Sequence, residues 1–471
     1  MKTKLLASSL VLLLSLNTTA LYADDSFEAD LSGFGEESEE LNDGVNDDLA
    51  GYATQESEPE KSMFSLSGNV AFKTAYAYKQ HQVDGVDYNG FNQAQISTYL
   101  QLDTKLSDDW KMRISGDAFY DAIYDIKDEN YNQDTLDAYQ TQLRFDDVYI
   151  QGRLSKDVDL KVGRQIVVWG KSDSIRITDV INPLDNRLPA MTDIEDLRLP
   201  TTMAKLDYYL GSWNFSAMAI AESRIFLEAA PYGEYFPVSN IFPNAPKPFF
   251  DLNQPESSLE NMQYALAANG VFSGWDLSFY GANVYDSKWH LEVVNNAPQR
   301  IVSKIKMLGS AINIVSGSWL LKSELAYING VRYNSTYDAK DRIDTLLGVD
   351  YMGVKDTVLS VEFANKHIFD YENQMGLLTT PKPDYVDENE YQTAMRVTRS
   401  FSNDSINASA LVSMFGTSWE YGGFARVWVE YDVIDAIVAN IGVVDYIDGD
   451  RPFVNAIKDN DRVFADISYS F

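Results

Sequence analysis

The residue types that usually carry out catalysis are scarce and scattered in this chain. It contains no cysteine, which excludes disulfides, thiolate metal ligands and a cysteine nucleophile. Its three histidines, His81, His290 and His367, are far apart and belong to different predicted loops or strand ends, so they form no metal-ligand pair and no serine–histidine motif. The sequence therefore predicts a protein that is not an enzyme and that has no metal site and no cofactor.

Charged side chains recur instead at every second position of apolar segments. Between Trp110 and Asp121, the residues Lys111, Arg113 and Asp117 alternate with apolar residues. This period of two indicates a β-strand, and a charged face opposite an apolar face is typical of a membrane barrel with a wet lumen. Such charges would act on a passing ion or polar molecule through their field, although any water-filled barrel has a similar lining. The lumen candidates predicted by alternation are Lys111, Arg113, Asp117, Lys304, Lys306, Lys322, Glu324, Glu362, Lys366, Arg396 and Arg426.

Segments with this alternation follow one another from residue 64 to the last residue, and about 18 of them can be distinguished. Short turns such as Ser107-Asp108-Asp109 follow every second segment, and the other connections are mostly longer. A barrel with both ends in the periplasm requires this order. Because the connections near 201–224 and 404–431 are short, a barrel of 16 strands is the alternative. The predicted strands are 64–79, 92–106, 110–124, 142–154, 158–169, 201–211, 213–224, 260–273, 275–287, 300–316, 318–332, 341–352, 356–368, 389–402, 404–415, 418–431, 434–446 and 461–471.

The last strand alternates without interruption, with Val463, Ile467, Tyr469 and Phe471 on its apolar face. A terminal aromatic residue after such a strand resembles the closing strand of a bacterial outer-membrane β-barrel. We therefore expect Tyr469 and Phe471 to form the signal that the barrel-assembly machinery recognises.

The N-terminus has the features of an export signal. Two lysines precede an apolar run from Leu5 to Leu16, and a small residue precedes Asp24, which predicts a signal peptide over residues 1–23. The run is shorter than the roughly 18 apolar residues that a helical membrane span requires. The sequence therefore predicts that any membrane crossing is made by strands.

The segment 24–62 is strongly acidic and has little apolar content, which predicts a disordered periplasmic tether. An Asp-Leu-small-Gly-aromatic pattern occurs in it twice, with Leu31 and Phe34 in one copy and Leu49 and Tyr52 in the other. These four residues are candidates for docking a periplasmic or inner-membrane transport partner, and a solvated tail with chance similarity is the alternative. The net charge of −32 argues against nucleic-acid binding.

The most distinctive stretch of the chain runs from Val162 to Lys171 and reads Val-Gly-Arg-Gln-Ile-Val-Val-Trp-Gly-Lys, with Asn-Pro-Leu-Asp following at 182–185. It resembles a family of proteobacterial outer-membrane β-barrels of unknown function that have a Gly-Arg-Gln strand, a Trp-Gly exit and an Asn-Pro-Leu-Asp loop. The resemblance implies a porin-like protein, in some cases working with inner-membrane exporters of hydrophobic molecules. It supplies no catalytic residues.

The connection 170–200 carries charges of both signs around an apolar spine. Thirty residues without secondary structure are unusual unless they are functional. We predict that this connection folds into the barrel mouth as a constriction, with Arg176, Asp179, Asp185 and Arg187 among its charged residues. An outward-facing loop that is braced by its own ion pairs is the alternative.

Arg164 conflicts with a strict alternation that starts at Val158, because it would then face lipid, at a cost of roughly 2–4 kcal/mol near the bilayer midplane. A β-bulge at Gly163 would return Arg164 to the lumen. The alternative is that Arg164 lies near the outer interface, where a long side chain can extend to the headgroups.

The connection 225–259 is rich in aromatic residues and prolines. It is expected to form a rigid apolar lid or an access site for a hydrophobic molecule, or otherwise a self-packed loop on the outer rim.

These observations predict an all-β protein, a transmembrane antiparallel up-and-down β-barrel over residues 63–471, in the lipid of the outer membrane of a Gram-negative bacterium. The function predicted first is a porin-like channel for a small molecule, with 170–200 as its constriction. The alternative is an outer-membrane component that moves a hydrophobic compound together with an inner-membrane exporter or periplasmic partner, docked through the acidic tether.

Overall fold

The computed structural model describes residues 63–471, with the exception of 296, 335–337, 373–374 and 376–385. Within this part, 18 strands form one antiparallel sheet in which consecutive strands are neighbours. The strands are β1 (Phe64–Ala77), β2 (Gly90–Lys105), β3 (Trp110–Asp121), β4 (Thr141–Ser155), β5 (Val158–Gln165), β6 (Thr201–Leu210), β7 (Trp213–Ile220), β8 (Gln263–Phe272), β9 (Trp275–Tyr285), β10 (Lys304–Ser316), β11 (Trp319–Val331), β12 (Lys340–Val354), β13 (Thr357–Ile368), β14 (Asn389–Phe401), β15 (Ile406–Phe415), β16 (Gly423–Ile434), β17 (Ile437–Ile447) and β18 (Arg462–Ser470).

The sheet closes on itself, because β1 pairs with β18 from Asn69 opposite Ser470 to Ala77 opposite Arg462. Closure leaves no unpaired edge, and it satisfies the backbone hydrogen bonds within the sheet. The predicted up-and-down barrel and its count of 18 strands are confirmed.

The two faces of the barrel wall follow the predicted alternation at the C-terminus. In β18, the side chains of Val463, Ile467 and Tyr469 are exposed on the outer face, whereas Arg462 and Phe464 are buried on the inner face. Hydrocarbon accepts only apolar side chains at low cost, so the outer positions of each strand are the ones that the sequence constrains most strongly.

Short turns connect the strands at one end of the barrel and longer loops connect them at the other, as predicted. Several boundaries differ from the prediction; β7, for example, ends at Ile220 rather than at 224, and β10 begins at Lys304 rather than at 300. β5 ends at Gln165, the turn predicted at 432–433 lies at 435–436, and the connection predicted at 416–417 spans 416–422.

The longer loops carry the remaining secondary structure. Two loops are central below: the inner loop, residues 166–200, between β5 and β6, and the aromatic loop, residues 221–262, between β7 and β8. No helix in the described residues is long and apolar enough to cross a membrane. The short elements are α1 (Ile123–Lys127), α2 (Gln133–Tyr139), α3 (Val238–Ile241), α4 (Pro452–Ala456), the 3-10 turn Leu259–Asn261, and the strands Gln82–Val83, Val86–Asp87, Asp185–Asn186, Leu227–Glu228, Leu252–Asn253, His290–Val294 and Ala297–Ile301.

The predicted signal peptide (1–23) and the predicted tether (24–62) lie outside the described residues. The docking candidates Leu31, Phe34, Leu49 and Tyr52 therefore stay predictions.

Candidate functional site

The inner loop enters the barrel and packs against its wall. Its side chains Trp169, Ile175 and Ile177 are buried in one cluster with the inward-facing Met307 of β10 and Leu346 of β12. Removing these apolar groups from water favours the position of the loop inside the barrel. The inner loop therefore fills the part of the lumen next to these strands.

Glu324 of β11 holds the inner loop where the loop reaches this wall. Its carboxylate accepts hydrogen bonds from the backbone N–H groups of Lys171 (2.6 Å), Ser172 (2.8 Å) and Thr178 (3.1 Å) and from the Thr178 hydroxyl (2.7 Å). Glu324 is buried, and a buried carboxylate needs such partners to offset its lost hydration. Hydrogen bonds to an ionised acceptor are also stronger than neutral ones.

Glu362 of β13 makes a second set of contacts with the same part of the inner loop. Its carboxylate accepts hydrogen bonds from the Ser172 hydroxyl (2.7 Å) and from the N–H groups of Asp173 (2.9 Å) and Ser174 (3.1 Å). Lys322 of β11 adds an ion pair with Asp173. These wall residues together fix residues 171–178 of the inner loop.

The second part of the inner loop contacts the strands that lie across the barrel from β5 and β6. Asp193 forms ion pairs with Arg426 of β16 and, at 3.0 Å, with Arg396 of β14. The Pro189 carbonyl accepts a hydrogen bond of 2.6 Å from the Tyr446 hydroxyl of β17. The inner loop therefore spans the interior from one side of the wall to the other.

Residues within the inner loop brace its base. Asp179 pairs with Arg176 (3.2 Å) and Arg198 (2.8 Å), and all three side chains are largely buried. The Asn182 side chain accepts a hydrogen bond from the Val167 N–H and donates one to the Leu199 carbonyl, both at 2.8 Å. Internal ion pairs thus exist, as one alternative predicted, but they lie inside the barrel.

A polar cavity of about 410 Å³ lies between the inner loop and the wall formed by β1 to β4. Arg144 contacts Asp117 (2.8 Å) and Asp185 (3.3 Å), and Arg187 contacts Asp185 at 2.6 Å. Burial alone would raise the pKa of the Asp185 carboxyl, but the Arg187 hydrogen bonds and the nearby positive charges outweigh it and hold the pKa below its ordinary value. The cavity thus presents ionised groups of both signs.

The aromatic loop packs on the inner loop and on the wall near the C-terminus. Its residues Tyr235, Phe236, Phe242 and Phe249 are buried in one cluster with Tyr446 of β17. Leu188, Ala190 and Met191 of the inner loop pack against this cluster. The two loops are therefore one packed layer inside the mouth of the barrel.

Glu234 attaches the aromatic loop to the barrel wall. Its carboxylate accepts hydrogen bonds from Arg462 of β18 (2.8 Å) and Asn92 of β2 (3.2 Å), and it lies 2.9 Å from Nε2 of His81. Burial alone would raise the pKa of Glu234, but the Arg462 charge and the hydrogen bonds from His81 and Arg462 outweigh it, so the pKa lies below its ordinary value.

A second cavity, of about 580 Å³ and mainly apolar, lies between the two loops and strands β14 to β16. Leu188, Thr192 and Leu197 line both this apolar cavity and the polar cavity, so the inner loop separates the two. The large apolar residues that line the apolar cavity include Phe236, Ile241, Phe242, Trp289, Phe415 and Phe424.

Comparison with protein families gives a match over nearly the whole chain. The family described as "Protein of unknown function (DUF1302)" matches residues 5–471. The chain belongs to the DUF1302 family. A comparison with curated proteins found no significant match.

Solved structures share the fold of this DUF1302 chain at low sequence identity. OccAB3 of Acinetobacter baumannii is 10% identical with a TM-score of 0.51, over 86% of this chain and 99% of that one. OccAB1 of the same organism is 11% identical with a TM-score of 0.50, over 86% and 96%. The outer membrane protein OpdK of Pseudomonas aeruginosa is 9% identical with a TM-score of 0.47, over 86% and 99%. The likeness to OccAB3 and OccAB1 shows a porin-like outer-membrane barrel fold.

Most of the predicted lumen residues of the DUF1302 chain do face inward. On β3 these are Lys111, Arg113 and Asp117, and Arg113 pairs with Asp103 of β2 at 2.7 Å. On the other strands they are Lys322, Glu324, Glu362, Lys366, Arg396 and Arg426. Four predicted loop residues, Arg176, Asp179, Asp185 and Arg187, lie in the inner loop inside the barrel.

The prediction that Lys304 and Lys306 face the lumen is wrong. Both are exposed on the outer face of β10, while Ile305 and Met307 between and after them are buried inside. The inner face is apolar here because it packs on the inner loop. The alternation was therefore predicted correctly, but its charged face was taken for the inner one. The lysines lie at the loop end of β10, where long side chains can extend from the apolar wall to water.

The expected β-bulge at Gly163 is also absent from β5, and Arg164 faces outward. Pairing with β4 is continuous there, with Tyr149 opposite Gly163 and Val148 opposite Arg164. Arg164 lies at the loop end of its strand and forms an ion pair of 2.5 Å with Glu222 of the aromatic loop. The alternative prediction, a position near the outer interface, agrees with this geometry.

Glu234, Arg462 and His81 were not predicted to form a group. Glu234 is 153 positions from His81 and 228 from Arg462, and no local pattern connects them. The sequence feature that could have indicated this group is the carboxylate of Glu234 beside Tyr235 and Phe236. A charge buried in an aromatic segment requires a partner of opposite charge.

Proposed function

We propose that this protein is a porin-like outer-membrane channel for a small molecule and that the inner loop is its constriction. The observation that carries the proposal is the path of the inner loop, which leaves the wall at β5 and β6 and is bonded across the lumen to Glu324 and Glu362 of β11 and β13 and to Arg396 and Arg426 of β14 and β16. A loop that crosses the lumen and is bonded to the opposite wall narrows the lumen to the spaces on either side of it.

The charges beside the inner loop would determine which permeants pass on its polar side. Arg144, Arg187, Asp117 and Asp185 face the polar cavity as paired charges. Paired charges impose a local transverse field without a large net charge, which favours polar or ionic molecules over apolar ones. No step of bond making or breaking is needed for this function.

A second candidate function is the movement of a hydrophobic compound together with a periplasmic or inner-membrane partner. The apolar cavity favours it, because a water-filled channel for ions has no need of a pocket lined by Phe236, Phe242 and Trp289. The partner would dock on the acidic segment 24–62 through the residues around Leu31 and Leu49.

For assembly, we propose that Tyr469 and Phe471 are contacted by the barrel-assembly machinery. Both side chains are exposed on the outer face, and their rings are 6.2 Å apart and nearly parallel. They would be accessible before the strand meets lipid.

The double substitution Glu324→Ala and Glu362→Ala tests the constriction. It removes the acceptors of seven hydrogen bonds to residues 171–178, each worth roughly 1.5–3 kcal/mol when the acceptor is charged. We expect the loop to detach from β11 and β13 and the single-channel conductance in planar bilayers to rise at least twofold, with increased current noise.

Glu430→Ala is the matched control, since Glu430 lies on the inner face of β16 and makes no hydrogen bond to the inner loop among the described residues. It removes one lumen carboxylate without releasing the loop, so its conductance should stay close to that of the parent. Equal conductance of the parent and the double variant, with both barrels folded by circular dichroism, would contradict the constriction.

A further inference from the structure

We propose that the apolar cavity is a binding site for an amphipathic small molecule that has a bulky apolar body and an anionic group, the latter bound by Lys288. This inference rests on the proposed function, because it names the class of molecule that the channel would carry.

The size and lining of the cavity suit the apolar body of such a molecule. At about 580 Å³ it lies within the range of small-molecule sites in proteins, which are mostly apolar with a few polar groups. Phe236 and Phe242 form one wall, and both are packed in the buried aromatic cluster. Leu411 and Phe424 of the barrel strands also line it. Because the aromatic cluster and the barrel strands hold these side chains, the cavity is formed before a ligand binds.

The acidic groups around the cavity are already occupied. Asp173 is paired with Lys322, and Asp193 is paired with Arg396 and Arg426. These pairs leave neither Asp173 nor Asp193 free to bind a cationic ligand.

Glu228 is the third acidic residue at the cavity. It accepts a hydrogen bond from the Trp289 indole, and burial raises the pKa of its carboxyl more than that hydrogen bond and the nearby Arg300 and Lys288 lower it. The hydrogen bond from the Trp289 indole therefore occupies this carboxyl, as the ion pairs occupy the other two acids.

Lys288 carries the charge at the cavity that no acidic side chain pairs with in the described part of the chain. Its side chain is exposed at the edge of the cavity, and within the described part of the chain its ammonium makes no hydrogen bond or ion pair. An anionic group of a ligand would complement this charge while the apolar body fills the pocket. A neutral molecule would gain only the binding free energy of its apolar body, and a cationic molecule would be repelled by Lys288.

The test compares two fluorescent probes that share one ring system, pyrenebutyrate with a carboxylate and pyrenebutanol with a hydroxyl. Binding to the folded full-length barrel in lipid nanodiscs is measured by equilibrium dialysis, after subtraction of the probe that nanodiscs without protein retain. We expect the parent to bind the acid about tenfold more tightly than the alcohol, as one charge-assisted contact supplies. Lys288→Gln should remove this preference and leave the affinity for the alcohol unchanged.

A pair of tryptophan substitutions on β15 tests the location of the site. Leu411→Trp places a large ring in the cavity, since Leu411 faces inward opposite Arg396, and it should weaken both probes at least tenfold. Ala410→Trp places the same ring on the outer face, opposite Val397 and Val427, and should leave both affinities unchanged.

Equal affinity of the parent for acid and alcohol, or an unchanged preference in Lys288→Gln, would overturn the proposal, as would binding that Leu411→Trp does not affect. Conductance of the same preparations separates this result from the proposed function. A parent that conducts and whose conductance rises in the Glu324 and Glu362 double variant, but that binds neither probe, keeps the constriction and loses the amphipathic ligand. If the parent binds the acid probe as expected but the double variant conducts no more than the parent, the amphipathic ligand site is kept and the constriction is lost.

Discussion

Replacing residues 172–199 with a short Gly-Ser turn is expected to raise the single-channel conductance several-fold. The replacement removes all of the segment that reaches the far wall, including Asp193 and its contacts with Arg396 and Arg426. It also removes Leu188, Thr192 and Leu197, which separate the two cavities. The polar and apolar cavities would then merge into one wider path.

The same replacement should lower the stability of the barrel. Met307, Ala326 and Leu346 face inward and are almost fully buried by the inner loop. Exposure of a large apolar side chain costs roughly 1.5–3 kcal/mol, so the thermal midpoint should fall while strand content is retained. Conductance should therefore be recorded well below that midpoint, and circular dichroism should verify the barrel first.

A matched control replaces Lys355 and Asp356, the turn between β12 and β13, with Gly-Ser. This turn lies at the opposite end of the barrel from the inner loop, and Lys355 is almost fully exposed. Its conductance and thermal midpoint should equal those of the parent. If the loop replacement is folded and conducts no more than this control, the inner loop is not the constriction.

The strands were largely predictable from the sequence, and the reason is the solvent around the barrel. Lipid requires apolar side chains on one face of every strand, so the alternation of Val463, Ile467 and Tyr469 persists whatever lies inside. The same reasoning fails on the inner face, because loops fill part of the interior and pack on the wall there. Lys304 and Lys306 were assigned to the lumen because a water-filled interior was assumed, whereas Ile305 and Met307 meet the inner loop there.

The candidate site was predictable only in part. The mixed charges and apolar spine of 170–200 indicated a loop inside the barrel, and Arg176, Asp179, Asp185 and Arg187 lie there. Its partners on the wall, such as Glu324 and Glu362, were among the inward residues but could not be matched to it. Contacts across 150 or more positions depend on how far each loop reaches, which alternation does not encode.

The substitution Glu234→Gln is expected to cause the largest loss of stability among single substitutions in the loops. It keeps the size of the side chain but removes the charge that compensates Arg462, and both side chains are buried. Breaking one partner of a buried ion pair typically costs about 3–5 kcal/mol, because the other charge stays buried without compensation. The aromatic loop should detach from β18, and chymotrypsin should then cleave after Phe249, which is buried in the parent.

Acid should have the same effect on the parent. Because the pKa of Glu234 is lowered in the folded protein, its contribution to stability is complete above the ordinary glutamate pKa and is lost as the pH falls through the lowered folded-state value. Cleavage after Phe249 should therefore appear in the parent after brief exposure to pH below that value, assayed by a protease active in acid. In Glu234→Gln it should be present at neutral pH and change little on acidification, since the titrating group is gone.

Glu256→Gln provides the control, because Glu256 lies in the same aromatic loop but is exposed and forms no ion pair among the residues that the structure describes. It should keep the thermal midpoint, the resistance to cleavage and the acid response of the parent. A fall in the midpoint that is equal in Glu234→Gln and Glu256→Gln would mean that any loop charge matters equally, and the anchor at Arg462 would be excluded. A resistant Glu234→Gln would mean that the packing of Tyr235 and Phe236 holds the aromatic loop without the ion pair.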